Sequence, residues 1–225
     1  MIKNLIFDLD DTIIKDEEED SIFYKEALRN CGYNEERHYD IYMAIDEYEK
    51  YITEDNMYYS KEDMLNTINK ILHTNYDIKL IDELLRVTAK YWIKRIIIKE
   101  ETIKKLSKMY NLYIYTNYFT EVQSKRLENI GYLKYFKKVY GADYYGCKPI
   151  IKSFDKVLED MSAKPEECIM IGDDKAKDIL VANKIGMKAI LYDYNGKKDK
   201  KICDVKDYIV LKDFDKIFEV LAQIS

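Results

Sequence analysis

Leu5-Ile6-Phe7-Asp8-Leu9-Asp10-Asp11-Thr12 is an apolar, β-prone run that stops abruptly in carboxylates. A short run of this kind, ended by polar residues, reads as a buried parallel strand. Asp8 and Asp10 lie two apart on an extended backbone, so their side chains point the same way and Leu9 points to the other side. The texture of that first strand returns only from about residue 97 onward. A helical pattern over 100–110 precedes a strand at 112–116, and one over 120–130 precedes a strand at 138–140. Helices over 150–161 and 175–185 precede strands at 168–171 and 188–192, and the tail offers a strand at 208–211 and a helix over 214–223. Strands alternating with helices of this length predict βαβ units and a mainly parallel sheet, an α/β fold.

Residues 16 to about 95 have a different texture. They hold one Gly and no Pro, and their apolar residues recur at three- and four-residue spacing, as in Ile22, Phe23, Ala27 and Leu28 or Leu80, Ile81, Leu84, Leu85 and Thr88. That is the pattern of amphipathic helices. The expected organisation is one α/β core, residues 1–15 and 97–225, interrupted by an all-helical insertion, residues 16–96.

Composition narrows the function. The 225 residues carry 37 Lys+Arg against 42 Asp+Glu, a net charge of −5 with both histidines neutral. This mild acidity argues against sequence-independent nucleic-acid binding, which depends on basic side chains neutralising phosphates. No stretch reaches the roughly 18 uncharged apolar residues of a membrane span, and residues 1–9 lack the pattern of a secretory signal. A cytoplasmic protein without membrane or nucleic-acid partners is expected, as a monomer or homodimer. The four cysteines, Cys31, Cys147, Cys168 and Cys203, are widely spaced with no C-x-x-C, which fits a reducing compartment. With only His38 and His73 present, chemistry that needs several histidines is disfavoured. The 22 tyrosines read as surface and packing residues of amphipathic elements rather than as a dedicated aromatic site.

In a parallel sheet, ligands bind beyond the carboxyl ends of the strands. The residues expected on that rim are Asp8 and Asp10, then Thr116 and Asn117, then Lys148 after a connection through Asp143. Gly172, Asp173 and Asp174 follow, with Asp178 beyond. Carboxylates, a hydroxyl, an ammonium and a Gly at a strand-to-helix turn suit a hard cation and an anion together, and carboxylate oxygens are the preferred ligands of Mg²⁺. Each element is weak alone, because turns favour Gly and Asp in any protein. Their joint occurrence at the ends of successive strands carries the reading.

These residues resemble the haloacid dehalogenase superfamily of phosphotransferases. Asp8-Leu9-Asp10-Asp11-Thr12 is similar to its first motif, D-x-D-x-T, and Thr116-Asn117 to its second. Lys148-Pro149 is similar to the third, and Gly172-Asp173-Asp174 with Asp178 to the acidic fourth. The linking text Gly131-Tyr132-Leu133, Tyr135-Phe136 and Phe154 is also typical. The resemblance implies a Rossmann-like core with the helical insertion as a cap. It implies that Asp8 is the nucleophile forming an aspartyl-phosphate and that Asp10 is the general acid and base. It further implies that Asp8, the backbone carbonyl of Asp10, and Asp173 hold Mg²⁺. Thr116, Asn117 and Lys148 would bind the phosphoryl group, and Asp178 would support the metal or Lys148. For Asp174, capping a helix start and touching metal stand level.

The expected activity is hydrolysis of a small phosphorylated metabolite. A true dehalogenase is disfavoured because those enzymes lack the second acid that Asp10 supplies here. A phosphonatase, a sugar phosphomutase and a phosphate-binding protein without turnover are the alternatives. The stretch Thr116-Asn117-Tyr118-Phe119-Thr120, with Gln123, Arg126 and Leu127, resembles the nucleotidase branch, which makes a nucleoside monophosphate the first substrate expectation. Arg37, Tyr91, Trp92 and Arg95 are candidate readers of the leaving group, although packing or solvent exposure explains each as well. The acidic excess is concentrated in this inferred site and in the run 16–20, which reads first as a solvated helix start.

Overall fold

A computed structural model describes residues 1–15, 21–91, 95–194, 196 and 208–224. The acidic run 16–20, Trp92 and Cys203 lie outside the described residues.

The strands in chain order are β1 (Asn4–Phe7), β2 (Ile14–Lys15), β3 (Arg95–Ile96), β4 (Asn111–Thr116), β5 (Lys138–Gly141), β6 (Cys168–Gly172), β7 (Lys188–Tyr192) and β8 (Tyr208–Leu211). Six of them form one sheet in the order β5-β4-β1-β6-β7-β8. Every pairing in it is parallel. β1 is central: Phe7 stands between Ile114 of β4 and Ile171 of β6. Its four residues are all buried, as a strand covered on both faces requires.

The helices in chain order are α1 (Tyr24–Asn30), α2 (His38–Glu49), α3 (Lys61–Leu72), α4 (Lys79–Tyr91), α5 (Glu100–Met109), α6 (Thr120–Asn129), α7 (Ala142–Tyr145), α8 (Ile151–Met161), α9 (Leu180–Lys184) and α10 (Ile217–Ile224). Alternation along the strands separates two cores. Leu5, Phe7, Ile114 and Ile171 pack with Ile103 and Leu106 of α5, Leu127 of α6, and Ile217 and Leu221 of α10. Ile6, Tyr115, Met170 and Leu191 pack on the opposite face with Phe154, Val157 and Leu158 of α8 and with Val181 and Ala182 of α9. This is the doubly wound arrangement that alternating strands and helices predict.

Helices α1–α4 build a third core from Leu28, Ile41, Met64, Ile68, Leu80 and Leu84, all essentially inaccessible to solvent. Burying one such Leu or Ile contributes roughly 1.5–3 kcal/mol relative to leaving it exposed. The cluster continues into Tyr118, Phe119 and Val122 at the start of α6, so the helical segment rests on the sheet domain near its rim. β2 and β3 pair antiparallel, Ile14 opposite Ile96 and Lys15 opposite Arg95, so the two ends of the segment stand side by side.

The structure departs from the expected continuous helical texture at residues 50–60. Thr53, Asp55 and Asn56 favour a turn, closed by Thr53 N donating to Asn56 O at 3.3 Å, and the chain crosses there to the sheet domain. Tyr59 N donates to Ala142 O at 3.1 Å, and Cys147 N donates to Met57 O at 2.8 Å. The helix expected over 175–185 also begins differently: Lys175–Ile179 is a π turn, and α9 follows. Such π turns occur often at functional sites.

Candidate active site

The loop after β1 is wound tightly on one carbonyl. Ile13 N and Ile14 N both donate to Leu9 O, at 2.9 and 3.0 Å, and Asp11 N donates to Ile14 O at 2.7 Å. Asp11 takes a left-handed conformation, φ 55°, which Asp tolerates better than most residues. This wind stations Asp8 and Asp10 at the sheet rim, with Asp8 only 8% exposed. Thr12 Oγ1 donates toward Asp8 Oδ2 at 3.4 Å and toward Asp173 Oδ1 at 3.5 Å.

Lys148 is placed by Asn117. The Asn117 side chain accepts from Lys148 N at 2.7 Å and donates to Lys148 O at 2.8 Å, clamping one residue from both sides. The Lys148 ammonium then lies 2.7 Å from Asp8 Oδ1 and 2.6 Å from Asp178 Oδ1. Asp178 is turned inward by the π turn and accepts from Asp174 N at 3.1 Å. That contact requires Gly172, since a Cβ there would sit 2.1 Å from Asp178 Oδ2. Asp174 caps the turn, accepting from Ala176 N and Lys177 N, which favours the helix-start reading over metal contact.

Carboxylate oxygens of Asp8, Asp173 and Asp178 lie within 4.8 Å of one another. Burial is the main force on Asp8. It pushes the carboxyl up to about 7, with Lys148 opposing and with Asp178 and Asp10 adding to the rise. Asp178 is likewise raised by burial against the pull of Lys148. Burial works against the charge on Lys148, but Asp178 and Asp8 outweigh it and raise its pKa. Clustered buried acids repel unless a cation is shared among them.

All seven residues expected at the site, Asp8, Asp10, Thr116, Asn117, Lys148, Asp173 and Asp178, line one cavity of about 220 Å³. The Asp10 carboxylate stands apart from the acid cluster. It pairs with Arg126 at 2.7 Å and accepts from Gln123 Nε2 at 3.0 Å. A family model for haloacid dehalogenase-like hydrolases matches residues 2–186. The chain belongs to this family.

Among characterised relatives of this hydrolase, the glyceraldehyde 3-phosphate phosphatase of Methanocaldococcus jannaschii is 27% identical over 220 residues, 93% of each chain. The enzyme of the same name from Methanothermobacter thermautotrophicus is 33% identical over 119 residues. That match spans about half of each protein, 51% of this chain and 53% of the other. The solved HAD-hydrolase YfnB of Bacillus subtilis, bound to magnesium, superposes with a TM-score of 0.73 over 98% of both chains at 19% identity, which shows the shared fold.

Of the candidate leaving-group readers, Arg37 pairs with Asp40 at the surface, Tyr91 donates to Glu26, and Arg95 lies in β3. None of these three lines the cavity. The helical segment contributes Glu49 instead, from the end of α2. Lys177 of the π turn approaches it at 3.6 Å. The sequence offered no signal for Glu49, which is one acid among many on a helix. Gln123 and Arg126 stood in the sequence only within the stretch that resembles the nucleotidase branch, with no role in the site attached to them.

Proposed function

We propose that this hydrolase is a Mg²⁺-dependent phosphomonoesterase acting on a small phosphorylated sugar through an aspartyl-phosphate on Asp8. The observation that carries the reading is the buried contact of Lys148 with both Asp8 and Asp178, beside a second acid, Asp10, that is held separately. The three clustered carboxylates form an all-oxygen donor set, which fits Mg²⁺ and does not suit a softer metal. Asp8, Asp173 and the Asp10 carbonyl would hold the ion, with Asp178 supporting. Bound there, it would neutralise charge on the phosphoryl oxygens.

Asp8 Oδ attacks phosphorus while the bond to the leaving oxygen breaks, and Asp10 gives that oxygen its proton. Asp10 then takes a proton from a water, whose oxygen attacks the phosphorus of the acyl phosphate. This frees Asp8 and releases inorganic phosphate. Lys148 and Thr116 hold the phosphoryl oxygens in both steps. Such chemistry rests on positioning and charge neutralisation.

The archaeal relatives named as glyceraldehyde 3-phosphate phosphatases support a triose-sized leaving group. Residues 16–96 act as the cap in this reading. Phosphate release from glyceraldehyde 3-phosphate, other sugar phosphates and nucleoside monophosphates, with Mg²⁺ and with EDTA, tests the proposal. Highest kcat/KM on a small sugar phosphate is expected. Phosphate transfer within a sugar, without release, would identify a mutase; no Mg²⁺-dependent release from any ester would overturn the reading.

A further inference from the structure

Arg126 is fully buried on α6, where an arginine charge is costly unless it is paired and hydrogen-bonded. Its guanidinium ion-pairs with Asp10 Oδ1 at 2.7 Å and donates to Gln123 Oε1 at 2.6 Å. Guanidinium only donates. The Gln123 oxygen must therefore face Arg126, and this fixes which way the amide points. Its NH₂ group is turned toward the site, where it donates to Asp10 Oδ2 at 3.0 Å and to Thr116 Oγ1 at 2.8 Å. With a lone pair of Thr116 filled by Gln123, the hydroxyl proton is left for another acceptor, and Thr116 lines the cavity.

We propose that Gln123 and Arg126 are positioning residues that hold Asp10 and Thr116 in one rigid array, so that proton transfer to the leaving oxygen and binding of the phosphoryl group are geometrically coupled. Asp10 Oδ2 accepts from Gln123 and Oδ1 is ion-paired with Arg126, so both oxygens are held. A carboxylate held on both oxygens cannot rotate away when the leaving group departs. This inference rests on the phosphomonoesterase reading and adds to it how the general acid is aimed.

The test compares kcat/KM for an alkyl phosphate, whose leaving oxygen needs a proton, with that for p-nitrophenyl phosphate, whose leaving group departs as a stable anion. kcat/KM reports the step in which that bond breaks. Gln123→Leu keeps the buried volume. It is expected to lower kcat/KM on the alkyl ester by roughly tenfold or more beyond its effect on the p-nitrophenyl ester, a fraction of what a general acid supplies. Gln123→Glu serves if the leucine variant fails to fold by circular dichroism, because it can accept from Arg126 but, when ionised, cannot donate to Asp10. Equal losses on both esters, or no loss, would overturn the inference. Absence of turnover by the unsubstituted enzyme would overturn the reading beneath it instead.

Discussion

The ammonium of Lys148 lies 2.7 Å from Asp8 Oδ1 in a contact where the two side chains are 2% and 11% exposed. The same nitrogen reaches Asp178, 1% exposed, at 2.6 Å. One buried cation thus serves two buried anions. Lys148→Met removes the cation and leaves both acids without it. Breaking a buried pair in this way costs about 3–5 kcal/mol. Urea unfolding of the metal-free variant should show a loss of that size, and turnover should fall at least about 100-fold, as for loss of a single electrostatic stabiliser. A variant of unchanged stability would show that the pair is not maintained in solution.

Burial raises the Asp8 carboxyl to about 7 from its ordinary 3.8. Between those values the folded, metal-free chain keeps a proton that the unfolded chain has released. The stability this confers is complete below pH 4 and is lost as pH rises through 7. Metal binding needs the ionised carboxylate, so apparent Mg²⁺ affinity should fall as pH drops below 7. Thermal unfolding with EDTA and with Mg²⁺ at pH 6 and pH 8 checks both signs. The stabilisation by Mg²⁺ is expected to be larger at pH 8. Equal stabilisation at the two values would contradict the raised pKa.

Gly172 is required by contact, not by its backbone. A Cβ at this position would lie 2.1 Å from Asp178 Oδ2 and 2.4 Å from Asp178 Cγ. Gly172→Ala must therefore push Asp178 away from Lys148 and from the Asp174 amide. The expected outcome is a fold that survives with a stability loss of roughly 1–3 kcal/mol, from overpacking, and turnover close to that of Asp178→Ala. Activity near the level of the unsubstituted enzyme would show that Asp178 has room the packing does not suggest.

The rim residues were legible because strand ends impose an order. A parallel sheet collects whatever polar residues terminate Asn4–Phe7, Asn111–Thr116 and Cys168–Gly172 at one edge, and motif spacing says which they are. The strands themselves follow from apolar runs, and the helical segment from its three- and four-residue spacing. What stayed hidden depends on distance in space. Arg126 reaches Asp10 across a separation of more than a hundred residues, and local periodicity cannot show that a helix's buried face is charged. The docking of residues 50–60 on Ala142 and Cys147 is hidden for the same reason, since backbone hydrogen bonds between loops leave no side-chain pattern. Glu49 is visible only once α2 is known to end over the cavity.

Glu49 sets the last prediction, on substrate choice. Among the described residues that line the cavity, it alone comes from the helical segment. Its carboxylate accepts from the Tyr59 hydroxyl, which fixes its place, and Lys177 Nζ stands 3.6 Å away on the sheet domain. A neighbouring cavity of about 320 Å³ shares Glu49, Lys177, Asn117 and Lys148, and the part of the substrate beyond its phosphate is expected to pass this pair. A carboxylate there accepts hydrogen bonds from sugar hydroxyls and repels a second anionic group. Two unit charges 4 Å apart in water interact by about 1 kcal/mol, more where water is excluded. Glu49→Gln should therefore narrow the preference for glyceraldehyde 3-phosphate over 3-phosphoglycerate, measured as the ratio of kcat/KM values, by roughly fivefold or more. Lys177→Met should widen it, because the cation that partly cancels Glu49 is gone. If both substitutions shift the ratio in one direction, or neither shifts it, charge at this pair does not select the substrate and the leaving group is read elsewhere.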